Sequence, residues 1–185
     1  MARTESTMLP LGTKAPDFSL KNTVYQNIVS LSDIKSEKAT VLMFICNHCP
    51  YVIHLHEGLK KLVQDYQKKG VSFVAISSND TKQFPEDSPE KMSDLFAELG
   101  FTFPYLFDET QKIAKAYQAA CTPDFFVFDK NLELAYRGQF DNSRPGNNIP
   151  VTGSDIRKAI DCILSKKPVS ETQLPSMGCN IKWKQ

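Results

Sequence analysis

A near-continuous apolar run, Ala39 to Ile45, stops abruptly at Cys46-Asn47-His48-Cys49-Pro50. A run of that kind fits a central strand buried on both faces. Beyond it, Val52, Ile53, Leu55, Leu59, Leu62, Val63 and Tyr66 fall at helical spacing, and Gly70 is placed to end the helix. Pro50 belongs in the first turn, where its missing N–H costs nothing. Two thiols therefore sit where a buried strand gives way to a helix. Val71 to Ser77 reads as the next strand, so strand, helix and strand form a parallel crossover of about 35 residues.

The remaining segments extend this unit into one α/β domain. Residues 1–14 are expected to be disordered or extended, Ala15 to Leu20 to be a short edge strand, and Tyr25 to Leu31 to pair with it. Ser32 begins at most one helical turn. A polar loop covers Asn79 to Ser88, followed by a helix from Pro89 to Leu99 closed by Gly100. Tyr105 to Phe107 is a brief extended segment and Glu109 to Gln118 a helix. Phe125–Phe128 and Leu132–Arg137 make an antiparallel hairpin, and Ser154 to Leu164 is the last helix. The division predicted is an N-terminal tail (1–11), a domain (12–165) and a C-terminal tail (166–185) without clear period. With 185 residues and 12 Phe, the chain is long enough to bury a sizeable core.

Charge excludes some partners. Twenty-two basic and 21 acidic side chains give a formal net charge of +1, so no field for nucleic acid or a membrane surface is present. No apolar core of signal-peptide length follows Arg3, and no later window approaches a membrane span, which points to the cytoplasm. Five cysteines, an odd number in a chain too large to need stapling, point to thiols kept mostly reduced.

The chemistry expected is thiol-disulfide exchange at Cys46 and Cys49. A helix start offers unpaired N–H groups and the positive end of the dipole, which favour a thiolate. Cys46, at the strand end, is expected to be the exposed nucleophile, and Cys49, one turn in, the resolving thiol. His48 is placed to donate to the Cys46 thiolate. A zinc site built with His48, His54 or His56 lacks the second cysteine or histidine pair that zinc needs. Thr122-Pro123 enters the Phe-rich strand, where a cis peptide would leave the Thr122 backbone free to pair with an extended substrate; an ordinary trans proline is the alternative. Cys121 is either a third redox thiol or a buried filler. Cys162 reads as a core residue, and Cys179 as either a tail thiol that folds back to resolve or an incidental one.

Strand, Cys46-Asn47-His48-Cys49, helix, strand, helix, then Thr122-Pro123, hairpin and terminal helix resembles the thioredoxin fold. The opening Gly12-Thr13-Lys14-Ala15-Pro16-Asp17-Phe18 is similar to that of its redoxin branch, related to the alkyl hydroperoxide reductase and thiol-specific antioxidant family. The resemblance runs from about Gly12 to Leu164 and implies a central mixed sheet flanked by helices, with an N-terminal strand extension. It also implies Cys46 as the attacking thiol, Cys49 as the resolving thiol and Pro123 as a cis-proline facing them. No metal or organic cofactor is implied. The partners implied are a protein or small-molecule disulfide and a thiol electron donor. Unlike thioredoxins, the strand before Cys46 carries no carboxylate. Two other readings are a thiol peroxidase, with Arg137 polarising the peroxide, and a binding module that takes an extended peptide beside Thr122-Pro123 without turnover.

Overall fold

The structure, a computed structural model, describes residues 3–185. Its main sheet has seven strands in the order β3-β2-β6-β5-β4-β8-β9: β2 (Ser19–Asn22), β3 (Ile28–Ser30), β4 (Ala39–Phe44), β5 (Ser72–Ser77), β6 (Tyr105–Phe107), β8 (Asp124–Asp129) and β9 (Leu134–Gly138). Strands β4, β5 and β6 run parallel, while β8, β9, β2 and β3 pair antiparallel, so the sheet is mixed. Helices α2 (Pro50–Gln67), α3 (Pro89–Leu99) and α5 (Ser154–Leu164) pack on one face; α1 (Leu31–Ile34) and α4 (Lys112–Ala116) pack on the other. This is the expected central mixed sheet flanked by helices.

Strand β4 carries this division. Val41 and Met43 point into the α2 side, Leu42 and Phe44 into the α4 side, and all four are fully buried. A strand covered on both faces has no use for polar alternation, which is why its sequence shows none. Helix α2 turns Val52, Leu55, Leu59, Leu62, Val63 and Tyr66 inward, at the expected spacing. Helix α3 ends on Gly100 in the left-handed region, φ 64°.

Three segments depart from the sequence reading, each for a tertiary reason. The strand expected over 15–20 is shifted to Ser19–Asn22 because residues 12–15 lie along the start of β9, with Gly12 N–H donating to Leu134 O and Ala15 N–H to Leu132 O. The helix expected over 109–118 shrinks to Lys112–Ala116. Gln111 takes a left-handed conformation, φ 62°, and spends its amide on Ser78 O, Lys182 O and the Lys184 N–H. The chain ends, expected to be tails, form a second sheet in the order β1-β10-β7, from Arg3–Glu5, Met177–Asn180 and Cys121–Thr122.

That small sheet fixes what surrounds the two thiols. Strand β10 runs antiparallel to β7 with Cys179 opposite Thr122 and Asn180 opposite Cys121, and β1 closes its other edge. Gly178 lies so close to β7 that a Cβ there would overlap the Thr122 carbonyl. Further along, Ser176 Oγ donates to Pro123 O at 2.6 Å, Lys182 N–H to Asn79 Oδ1 at 2.8 Å and Ile181 N–H to Ala120 O at 3.2 Å. Ile181 is buried in the α4-side core. Among the described residues, no helix is long and apolar enough to cross a membrane.

Arg137, read as a candidate for polarising a peroxide, is fully buried and committed elsewhere. Its Nη2 donates to Asp124 Oδ2 at 3.0 Å and to Gln118 O at 2.7 Å, and the guanidinium lies over the Phe126 ring. A buried cation with a partner of this kind is held by that partner.

Candidate active site

The turn between β4 and α2 sets the chemistry. The helix begins at Pro50, so the cap residue is Cys49, with extended backbone (φ −73°, ψ 120°), and Cys46 lies a further three residues outside it. The positive dipole end therefore lies nearer Cys49 than Cys46, while Val52 N–H goes to the Cys49 carbonyl and the Cys49 side chain makes no capping hydrogen bond. Cys46 stands at the strand end and Pro50 in the first helical turn, as expected, while Cys49, expected one turn in, is instead the residue just before the helix.

Both sulfurs face the Thr122-Pro123 peptide, which is cis. Cys46 Sγ is 3.3 Å from Thr122 Oγ1, and Cys49 Sγ is 3.0 Å from the Thr122 carbonyl oxygen, to which it donates when protonated. As a thiolate, Cys49 is favoured first by Cys46 and then by the Cys179 and Thr122 side chains and the Cys179 backbone, against burial and the nearby Thr122 carbonyl. The favourable groups win: Cys49 is lowered to about 5, chiefly by Cys46 and against the cost of burial. Cys46 moves the opposite way, pushed well above the ordinary thiol range by donating to Cys49, by burial and by the nearby Asp87 charge. Cys179 is likewise raised, to about 12, by burial and by donating to Cys49. Cys49 is thus the lowest of the three thiols, with Cys46 and Cys179 both raised.

Burial contradicts a further expectation. Cys46 is 1% exposed and Cys49 0%, so neither is an open nucleophile. The cause is β10, which occupies the Thr122 edge that was expected to be free for a substrate. A cavity that reaches Pro123, lined by Tyr51, His54, Phe140, Ser176 and Met177 among others, measures about 10 Å³. That is room for about one water molecule and no substrate.

His48 is near Cys46 but bonded elsewhere. Its Nδ1 is 2.7 Å from Asp87 Oδ2, and its ring stacks on Phe84. It does not donate to Cys46 as expected. Asp87, fully buried, also accepts from Asn47 N–H (2.8 Å), His48 N–H (3.3 Å) and Asn79 Nδ2 (2.8 Å). Because a carboxylate accepts, Nδ1 donates to Asp87, and Nε2 is buried without a hydrogen-bond partner. Asp87 was missed by sequence reasoning, which saw only a polar loop. Pro85 and Pro89 bracketing Glu86-Asp87-Ser88 was the available signal of a fixed turn.

Ligand atoms of Cys46, His48 and Asp87 lie within 4.8 Å of one another, the spacing of a metal site. Both Asp87 oxygens are already taken by four N–H donors, so the set is a closed hydrogen-bond network. His54 is committed to Ser143 Oγ and His56 packs against Phe101. Cys121 is fully buried and its S–H faces Pro123 O at 3.5 Å; burial first, then the Asp124 charge, push its thiol far up, as suits a packed filler. Cys162 is half-buried on α5, away from the pair.

The AhpC/TSA family profile matches residues 11–137. The thiol-disulfide oxidoreductase ResA of Geobacillus kaustophilus (strain HTA426) is 30% identical over 131 residues, 71% of this chain and 70% of that protein. A solved structure described as an uncharacterized conserved protein from Geobacillus kaustophilus is 60% identical, with a TM-score of 0.98 over 100% of this chain and 97% of that one. A putative thiol:disulfide interchange protein DsbE from Chlorobium tepidum shares the fold at 22% identity, TM-score 0.66, over 85% of this chain and 99% of that one.

Two outcomes follow from this geometry. Since the Cys49 value falls from 9.0 to about 5 in the folded protein, its contribution to stability is complete above the unfolded value and is lost as pH falls through about 5. Thiolate absorbance at 240 nm should show a step near that pH that disappears in Cys49→Ser; a step kept in Cys49→Ser and lost in Cys46→Ser would reverse the assignment. Gly178→Ala should unseat β10 at a cost of about 1–3 kcal/mol, which speeds iodoacetamide labelling of the pair by about tenfold or more. Unchanged labelling would mean that β10 is not the cover.

Proposed function

The chain belongs to the AhpC/TSA family and is a thiol-disulfide oxidoreductase, and on that premise we propose that Cys49 and Cys46 are its redox pair, with Cys49 attacking and Cys46 resolving. The observation that carries this is the Cys49 sulfur: it belongs to the residue at the start of α2, lies 3.0 Å from the Thr122 carbonyl, and is lowered chiefly by Cys46. A family resemblance to thioredoxins suggests the opposite order, but the helix start and the donor set both favour the second cysteine as the thiolate.

The exchange balances with the groups present. Cys49 thiolate attacks one sulfur of the substrate disulfide, forming a mixed disulfide and expelling the other sulfur as a thiolate. Cys46 gives its proton to the expelled substrate thiolate. The Cys46 thiolate then attacks Cys49 Sγ, the Cys46–Cys49 disulfide closes, and the second substrate sulfur leaves. Of the two protons on the products, one comes from Cys46 and one from solvent. A dithiol donor returns the pair to its reduced form by the reverse exchange. The substrate proposed is a protein disulfide in an extended segment, since an extended strand is what the Thr122 edge pairs with.

The cysteine usage supports the cytoplasm as the place of turnover. Peroxide reduction, the antioxidant alternative, would use the same Cys49 thiolate. Arg137 gives it no support, being committed to Asp124.

Insulin reduction driven by dithiothreitol separates these readings. Wild-type protein should accelerate precipitation, Cys49→Ser should abolish the acceleration, and Cys46→Ser should slow it by about tenfold or more, the scale of a lost catalytic group. No acceleration by wild type would favour the binding module; peroxide consumption without insulin reduction would favour the peroxidase.

A further inference from the structure

The dithiol mechanism uses two sulfurs, yet a third cysteine with no role in it is buried in the same cluster as both. Cys179 reaches the site on β10, opposite Thr122 in the strand register, where Cys49 Sγ lies 3.0 Å from the Thr122 carbonyl. The strand is held there on every side: Ser176 on Pro123 O, Gly178 packed against the Thr122 carbonyl, Ile181 in the core, and Lys182 on Asn79, whose side chain also binds Asp87. Cys179 is itself 4% exposed, so its neighbours are protein groups rather than solvent oxidants.

We propose that Cys179 is a third redox thiol and that Cys49 is shared by two disulfides, Cys46–Cys49 and Cys49–Cys179. The inference rests on the dithiol reading above. Starting from the Cys46–Cys49 bond, Cys179 loses its proton and its sulfur attacks Cys49 Sγ. The Cys46–Cys49 bond breaks, the Cys49–Cys179 bond forms, and Cys46 leaves as a thiolate that takes up a proton. No electron enters or leaves; the disulfide moves along the chain. The product keeps β10 covalently tied to the Thr122 edge and frees Cys46, whereas the starting disulfide leaves β10 held by non-covalent contacts. The site would therefore have one oxidised form that can release its edge to a substrate strand and one that cannot.

Disulfide mapping of the intact protein tests this. Reduced protein is oxidised with limiting diamide, quenched in acid, alkylated and digested without reduction. In Cys46→Ser, the peptide carrying Cys49 should be joined to the peptide carrying Cys179, and two of its four remaining thiols should be lost. Cys46→Ser combined with Cys179→Ser should lose none. Wild-type protein should yield the same cross-link beside the Cys46–Cys49 loop, which keeps the test open if the serine variants fold poorly. Four free thiols in folded, oxidised Cys46→Ser, or no cross-link in wild type, would overturn the relay. A Cys46–Cys49 loop seen in that same sample would leave the dithiol reading intact, whereas no disulfide at either cysteine would bring down the reading itself.

Discussion

The structure depends on how one negative charge is held at Cys49 Sγ. A thiolate taken out of water is costly unless donors replace its hydration. Here the groups that favour it come from three parts of the chain: Cys46, Thr122, and the side chain and backbone of Cys179. Each is delivered by a different element, so the charge is possible only once β4, α2, β7 and β10 have assembled. The same contacts explain why the neighbouring thiols keep their protons, since a donor that gave up its hydrogen would place two charges side by side.

The second dependence is on the sheet edge. A strand ending at a proline leaves peptide groups that must be satisfied, and β10 satisfies them at Thr122 and Cys121 while carrying Cys179 into place. The cover and the third sulfur are thus one structural decision. The Asp87 network extends it: Asn79 joins Asp87 to the backbone of Lys182, so the residue that orients His48 also feels whether the C-terminal segment is seated. A substrate strand that displaced β10 would remove donors from Cys49 and loosen the loop behind His48 together.

Much of the fold was legible because it obeys local rules. The apolar run of β4, the spacing of Val52, Leu55, Leu59 and Leu62, and the stops at Gly70 and Gly100 all state their structure within a few residues. What escaped was set by distant partners. The α4 helix lost its first turn because Gln111 clamps Lys182 and Lys184, and nothing near Gln111 announces that. Asp87 looked like any carboxylate in a polar loop, and its value comes from four donors that converge only in three dimensions. Segment 177–180 was too short for a period, although a glycine beside a cysteine and ahead of a buried Ile181 was a trace of close packing. Most consequentially, the Cys-x-x-Cys spacing did not say which cysteine caps the helix; that depended on where Pro50 starts it.

The assignment of the attacking sulfur is tested most directly by trapping. Cys46→Ser with Cys179→Ser, and Cys49→Ser with Cys179→Ser, are each mixed with an aromatic disulfide such as dithiobis-nitrobenzoate, and the released thiol and the adduct site are followed by absorbance and mass. The account requires a fast adduct on Cys49 in the first protein and a slow one on Cys46 in the second, with the fast reaction persisting down to about pH 5. A faster adduct on Cys46 would place the charge on the wrong sulfur here and contradict the mechanism built on it.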